Sequence, residues 1–284
     1  MKLQFLGTGA AEGVPAVFCK CKTCEEARKR GGKEIHTRAQ TLIDDVVSID
    51  YSGDAYYHSL RFGTDLTKIQ YILVTHSHMD HFYAHDFILR GYKYTRTCLP
   101  HLTIFGNAEV KKVYDECTKR ELKEEVAKNI EMRVVKPFQP FTFGDHGEYT
   151  ATALLAQHSD KEKAYVYLIE KDEKSYLHLV DTGRLPKETL DYLEKYFQNK
   201  RGVDLVTFDC TFLFSTAGEK SRHMGLEDNK EMQMEFSLRK ISGRHTRYAI
   251  THYSHNNNPL TETLEQAKLS YGFYPTFDGM SVEF

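Results

Sequence analysis

Four side chains able to bind a metal ion fall close together in the string Thr75-His76-Ser77-His78-Met79-Asp80-His81: His76, His78, Asp80 and His81. Neutral imidazole combined with carboxylate suits Zn, Mn or Fe. One histidine in a loop would be an ordinary polar residue, whereas four ligand-type residues packed this closely point to a metal centre. His76 and His78 alternate, so in an extended loop they face one way. Asp80 and His81 follow a turn and can face a second ion. A short loop could thus serve two neighbouring ions, each needing further ligands from elsewhere. Water bound to such ions loses its proton far more easily than bulk water, which is the chemistry of hydrolysis.

Further ligand types stand where apolar runs end. His158 follows Thr152–Ala156, Asp181 follows Tyr176–Val180 and precedes Thr182-Gly183, and His252 follows Tyr248–Thr251. Taken singly each reads as a structural polar residue; beside the 76–81 string they read as the missing ligands. A second set is Cys19, Cys21 and Cys24, three thiols without a fourth partner nearby. A structural zinc needs four ligands. His255, three residues after His252, is the expected fourth, which would pin the N-terminal loop to the C-terminal one. The remaining cysteines, Cys98, Cys117 and Cys210, are scattered and read as buried small apolar residues.

These residues need a frame of strand ends. Residues 2–6 alternate and run into the turn Gly7-Thr8-Gly9, followed by a loop over 7–24. Residues 41–50 read as a hairpin or a pair of strands ending at Asp50, and 54–62 as a short helix. Tyr71–Val74 is a continuous apolar run, a strand buried on both faces. A helix is expected through 82–92 and an exposed one over 108–128. Strands follow at 131–135, 140–144, 148–156, 163–170 and 175–180. After them come a helix at 186–198, a buried strand at 205–208 ending at Asp209, a helix at 228–240, a strand at 248–250 and a helix at 260–270. This rhythm predicts two sheets packed face to face with helices outside. Neither a repeat nor a long linker interrupts it, so one domain over residues 1–284 is expected, carrying a zinc-binding Cys loop at about 19–24.

Composition narrows the partners. Thirty-eight Lys and Arg against forty Asp and Glu give a net charge of −2, so no broad nucleic-acid surface is expected. No apolar run reaches membrane-spanning length, and the N-terminal apolar stretch is too short for a secretory signal. A cytoplasmic location is expected. Nucleic acid is not the expected partner, and a homodimer is an open expectation.

The Thr-His-x-His-x-Asp-His string, His158, Asp181-Thr182-Gly183 and His252 together resemble the metal-binding pattern of the metallo-β-lactamase superfamily, in order along nearly the whole chain. The resemblance implies an α/β fold, a four-layer αββα sandwich. It also implies that His76, His78 and His158 hold one ion, that Asp80, His81 and His252 hold the other, that Asp181 bridges them, and that Asp50 orients ligands from behind. Within the superfamily, the Cys triplet with His255, Gly7-Thr8-Gly9, Gly13-Val14-Pro15-Ala16 and Phe277-Asp278-Gly279-Met280 are similar to the branch containing the phosphodiesterase of the bacterial carbon–phosphorus lyase pathway. That branch implies paired manganese, or zinc, with a separate structural zinc. It also implies catalytic roles for Asp80 and for His223, in Ser221-Arg222-His223-Met224, the latter as general acid. The expected function is hydrolysis of a small or cyclic phosphodiester. Two departures leave the substrate open: a longer helical stretch over 92–130, and the apolar Cys210-Thr211-Phe212-Leu213-Phe214 after Asp209. The alternatives are a ribonuclease Z-like RNA-processing nuclease, which would want a basic docking arm that 111–128 does not supply, and a non-catalytic metal-binding protein.

Overall fold

The computed structural model describes every residue except Glu219. Its strands are β1 (Lys2–Gly7), β2 (Gln40–Ile43), β3 (Val47–Ile49), β4 (Tyr71–Leu73), β5 (Leu102–Gly106), β6 (Ile130–Val134), β7 (Pro140–Phe143), β8 (Tyr149–Leu155), β9 (Tyr165–Lys171), β10 (Lys174–Leu179), β11 (Val203–Asp209), β12 (Ser242–Thr251), β13 (Tyr274–Pro275) and β14 (Met280–Glu283). Its helices are α1 (Lys22–Arg30), α2 (Ala55–Phe62), α3 (Ala108–Thr118), α4 (Glu124–Ala127), α5 (Lys187–Phe197), α6 (Leu226–Leu238) and α7 (Thr261–Tyr271).

Two seven-stranded sheets result, in the orders β14-β1-β2-β3-β4-β5-β6 and β13-β12-β11-β10-β9-β8-β7. Period-two alternation sends one set of side chains inward, so Leu3, Phe5, Ile49, Leu73 and Phe105 meet Tyr149, Tyr167, Ile169, Tyr176 and Leu205 between the sheets. The opposite faces are apolar as well. Ile72 and Val74 pack under α2 and α3, and Leu177, Val206 and Phe208 under α5, α6 and α7. This is the expected αββα layering. The tight β2–β3 hairpin turns on Asp44 and Asp45, both at positive φ (49° and 64°), a conformation Asp tolerates better than most residues.

The structure corrects several expected elements. The stretch expected as one helix over 108–128 is two, α3 and α4, and the break between them returns Leu122 to the outer apolar layer and leaves Val126 buried. The helix expected through 82–92 is a 3₁₀ turn over Ala84–Leu89, ended as the chain turns at Gly91. The loop expected through residue 24 becomes helix α1 at Lys22. Strands β5, β13 and β14 have no counterpart in the sequence reading.

The parallel strands of both sheets run their C-terminal ends to one edge: β3, β4 and β5 in the first, β10, β11 and β12 in the second. Among the described residues no helix is long and apolar enough to cross a membrane.

Candidate metal centre

Each element delivers its polar side chain where its strand stops. Asp50 follows β3, Asp181 follows β10 and His252 follows β12, and all three adopt the left-handed backbone region (φ 60°, 55° and 65°). That turn ends the strand and redirects the chain. It costs on the order of 1–3 kcal/mol for a non-glycine residue and clusters at functional sites. Gly183 has a packing reason. A Cβ there would lie 1.9 Å from the carbonyl oxygen of Ser221, so only glycine lets the Ser221–His223 segment cross the Asp181 loop.

The predicted ligands converge in two overlapping sets. His76, His78, His158 and Asp181 each offer a donor atom within 4.8 Å of the others, and so do Asp80, His81, Asp181 and His252. Asp181 belongs to both. Within the first set, His78 Nδ1 lies 2.9 Å from His76 Nε2 and 3.3 Å from His158 Nε2. Asp181 Oδ2 lies 3.3 Å from His76 Nε2, 3.1 Å from His81 Nε2 and 3.9 Å from His252 Nε2. Asp80 Oδ2 is 3.2 Å from His81 Nε2. Two nitrogens sharing one tetrahedral zinc stand about 3.3 Å apart, given metal–nitrogen bonds of about 2.0–2.1 Å, so the spacing suits a divalent cation.

A second observation supports the same fit. Of the seven buried side-chain polar atoms that make no hydrogen bond among the described residues, three are His81 Nε2, His252 Nε2 and Asp181 Oδ1, the last with His158 Nδ1 and His223 Nδ1 within 3.1 Å but without hydrogen-bond geometry. Buried polar atoms are almost always satisfied, and orphans clustered in one place call for a ligand. The protonation pattern is divided accordingly. Burial, reinforced by the neighbouring His81, pushes the His76 imidazole down to about 3. His81 goes the other way: burial opposes its charge, yet Asp80 and Asp50 hold it well above the usual histidine range. Burial also opposes the charge of Asp181, but the surrounding histidines keep its carboxyl well below the usual range.

Asp50 contacts the cluster from behind. Its Oδ1 accepts from the Thr75 amide at 2.8 Å and its Oδ2 lies 2.7 Å from His81 Nδ1, which leaves Nε2 free to face the site. Asp209, which the sequence showed only as the end of a strand, plays the matching part in the second sheet. It accepts from the amides of Thr211 and Met224, each at 3.0 Å, and its Oδ2 lies 3.1 Å from both His252 Nδ1 and His223 Nδ1. His223 also stands 3.0 Å from Asp181 Oδ1. Burial disfavours its charge, but Asp209 and Asp181 raise it to about 11.

The four donors of Cys19, Cys21, Cys24 and His255 also lie within 4.8 Å of one another, with Cys21 Sγ 3.4 Å from His255 Nδ1. Three sulfurs and one nitrogen make a donor set that suits a closed structural zinc. The His255 contact lowers the Cys21 thiol to about 6, while burial raises Cys24 to about 11. The other cysteines are corrected: Cys210 is buried as expected, but Cys98 is exposed and Cys117 only half-buried, the first in an irregular loop and the second near the end of α3.

The paired sets open into a pocket of about 450 Å³, whose other lining includes Glu12, Phe212, Arg222, His223 and Asn256. Arg222 stands at its rim, paired with Asp160 at 2.9 Å. A hollow of about 570 Å³ on the outer face of the first sheet, lined by Ile69, Ile72 and Phe87, has none of these donors.

Residues 42–252 match the Beta-lactamase superfamily domain. Among solved structures, a diphosphatase from the PhnP family superposes with a TM-score of 0.72 at 22% identity, covering 100% of this chain and 96% of that one. Zn²⁺-bound PqqB from Methylobacterium extorquens gives 0.72 at 15% identity, with 100% of both chains covered. Human tRNase Z, short form, gives 0.66 at 14%, covering 100% of this chain and 99% of that one. A curated relative, the octanoyltransferase of Porphyromonas gingivalis (strain ATCC BAA-308 / W83), is 34% identical over 83 residues, 28% of this chain and 16% of that protein. This chain therefore spans less than a fifth of that relative's length. With the superfamily domain matched over most of the chain and two packed sheets delivering the donor sets to one edge, the chain belongs to the β-lactamase superfamily and has the metallo-β-lactamase fold.

Proposed function

We propose that the chain is a hydrolase that works with two divalent cations and cleaves a small phosphodiester. The observation that carries this reading is Asp181, one carboxylate common to two four-residue donor sets in which the buried His81 Nε2 and His252 Nε2 make no hydrogen bond. His76, His78 and His158 would hold one ion and Asp80, His81 and His252 the other, with Asp181 serving both; Asp80 thereby acts at the reacting centre. Such a pair supplies charge neutralisation for phosphate oxygens and makes water acidic enough to react at neutral pH. The chain's own groups do the rest. Asp50 and Asp209 fix the rings of His81 and His252. Arg222 brings positive charge to the rim, where it draws an anion inward. His223, lining the pocket, carries a proton to the leaving oxygen as general acid. The Cys19, Cys21, Cys24 and His255 set would hold one zinc that ties the N-terminal loop to the 251–258 segment, and residues 1–284 act as one domain.

A phosphoester as the substrate class fits the names of two fold relatives, the diphosphatase and tRNase Z, and the size of the pocket favours a small ester. RNA is the second substrate to assay. The test is elemental analysis of protein purified without chelators, then a phosphodiester panel with Mn²⁺, Zn²⁺ or Fe²⁺ restored. About three metal atoms per chain are expected, one of them a zinc that resists mild chelation. Metal-loaded protein inert toward every ester, the precursor tRNA included, would remove the phosphodiesterase reading.

A further inference from the structure

Ser77 stands between two of the candidate ligands, so its backbone sets the directions of both His76 and His78. It is held by one side chain from the other sheet. Its amide lies 3.2 Å from Glu162 Oε1 and 3.1 Å from Oε2, and its hydroxyl donates to Oε1 at 2.7 Å. Glu162 belongs to the β8–β9 loop, which also carries His158. Its Oε2 accepts from Asn107 Nδ2 at 2.7 Å; the same nitrogen donates to the Lys163 carbonyl at 2.9 Å, while Asn107 Oδ1 caps α3 by accepting from the Val110 amide at 2.9 Å. A single carboxylate thus joins the His76–His78 loop, the His158 loop and the start of α3. It is absent from the donor sets, so it acts through the ligands rather than as one.

The second set is supported differently. His81 leans on Asp50 and His252 on Asp209, and neither contact involves Glu162. We infer that Glu162 is a positioning residue for the His76, His78 and His158 set alone, so that its loss weakens one of the two paired cations and spares the other. This rests on the paired-cation reading above. Partners that orient metal ligands typically change affinity by 10–100-fold when removed. The charged acceptor matters because a carboxylate can take the Ser77 amide, the Ser77 hydroxyl and the Asn107 amide together, whereas a glutamine in its place would turn one N–H₂ toward one of these donors.

The test is a Co²⁺ titration of chelator-treated full-length protein, followed by visible absorption and calorimetry. E162A should shift one paired-site step about 10–100-fold to weaker binding and leave the other step and the thiolate bands unchanged. S77A, which keeps the amide contact, should shift the same step less, and E162Q should fall between E162A and wild type. The step is assigned with H158A, and H252A should move the other one. Metal-free E162A should melt only slightly below the wild type, because Asn107 Oδ1 still caps α3 and the lost contacts are those of part-buried loops. Equal weakening of both steps, or no weakening of either, overturns the inference while leaving the paired site standing. A lower melting midpoint of metal-free E162A that accounts for the whole loss does the same, and S77A and E162Q still report should E162A fail to fold. A wild type that binds Co²⁺ only through its thiolates sinks the paired-cation reading itself.

Discussion

Two polar clusters built from the same residue types lie in this molecule, and they are satisfied in opposite ways. Around Asp181, imidazole nitrogens crowd one another and a shared carboxylate, and the buried His81 Nε2 and His252 Nε2 make no hydrogen bond. Around Asp278, every such group is engaged. Asp278 Oδ1 lies 2.6 Å from Thr8 Oγ1, and its Oδ2 accepts from the Thr37 amide at 2.7 Å. His36 stands between Thr8 Oγ1 (2.8 Å) and the Pro259 carbonyl (3.2 Å), and His58 between Gln40 Oε1 (2.9 Å) and Thr37 Oγ1 (2.7 Å). Histidine and aspartate in proximity do not define a metal site. What sets the Asp181 cluster apart is donor atoms left over after the protein's own hydrogen bonds are made, which is what a metal site requires. The Asp278 knot fastens the chain's C-terminal segment to the Gly7-Thr8-Gly9 turn and keeps nothing in reserve.

The sharpest way to break the comparison is to cut the same functional group from each cluster. D181N should lose both paired cations and at least about a thousandfold in turnover, several kcal/mol of barrier, while keeping the thiolate zinc. D278N should keep all of its metal. Elemental analysis of the two variants side by side reads this directly. Equal metal content would show that orphaned atoms do not mark ligands here.

A smaller loss is expected from H223A, and it should depend on the substrate. Turnover of an ester with a poor leaving group should fall about 10²–10⁴-fold, as for removal of a general acid, and turnover of an activated aryl ester much less. Equal losses on both would take His223 out of that role and leave it as a support for Asp209. Next in size, C24S should retain the paired metals, lose one zinc and melt about 5 °C or more lower, because metal bound to the folded state is folding free energy. A C24S protein with unchanged zinc and melting would place that metal elsewhere.

Why one cluster could be read in the sequence and the other could not follows from the same contrast. The Asp181 donor sets sit at strand ends, and strands announce themselves: Tyr71–Val74 is followed by Thr75 and His76, and Tyr176–Val180 runs into Asp181. Asp209 ends a strand just as plainly, but its partners His223 and His252 are 14 and 43 positions away, and no local pattern joins them. Glu162 lies in a polar stretch with no periodicity at all. Helix α1 was hidden because its buried face is only Cys24 and Ala27 among charged residues. Strand β14 exists only because β1 is there to pair with it. The knot is the extreme case: Thr8, His36, Thr37, His58 and Asp278 are individually unremarkable, and only the closed fold brings the two ends of the chain together. The resemblance marked Phe277–Met280 without saying what it is for.

The smallest effect distinguishes the clusters by pH. Burial pushes the Asp278 carboxyl up to about 7, against the hydrogen bonds from Thr37 and Thr8 that favour its ionised form. An unfolded aspartate releases its proton near 3.9. Between those values the folded state binds more protons than the unfolded one, so this residue's contribution to stability falls as pH rises. His36 and His58 act oppositely. Burial lowers both to about 4, so between about 4 and 6.5 the unfolded state binds more protons and stability rises with pH. Both histidines remain in D278N and cancel in a difference. The melting midpoint of D278N minus that of wild type should therefore increase from pH 5 to pH 8, with most of the change complete just above pH 7. A flat difference would mean that Asp278 is ionised throughout, with the knot's hydrogen bonds outweighing its burial.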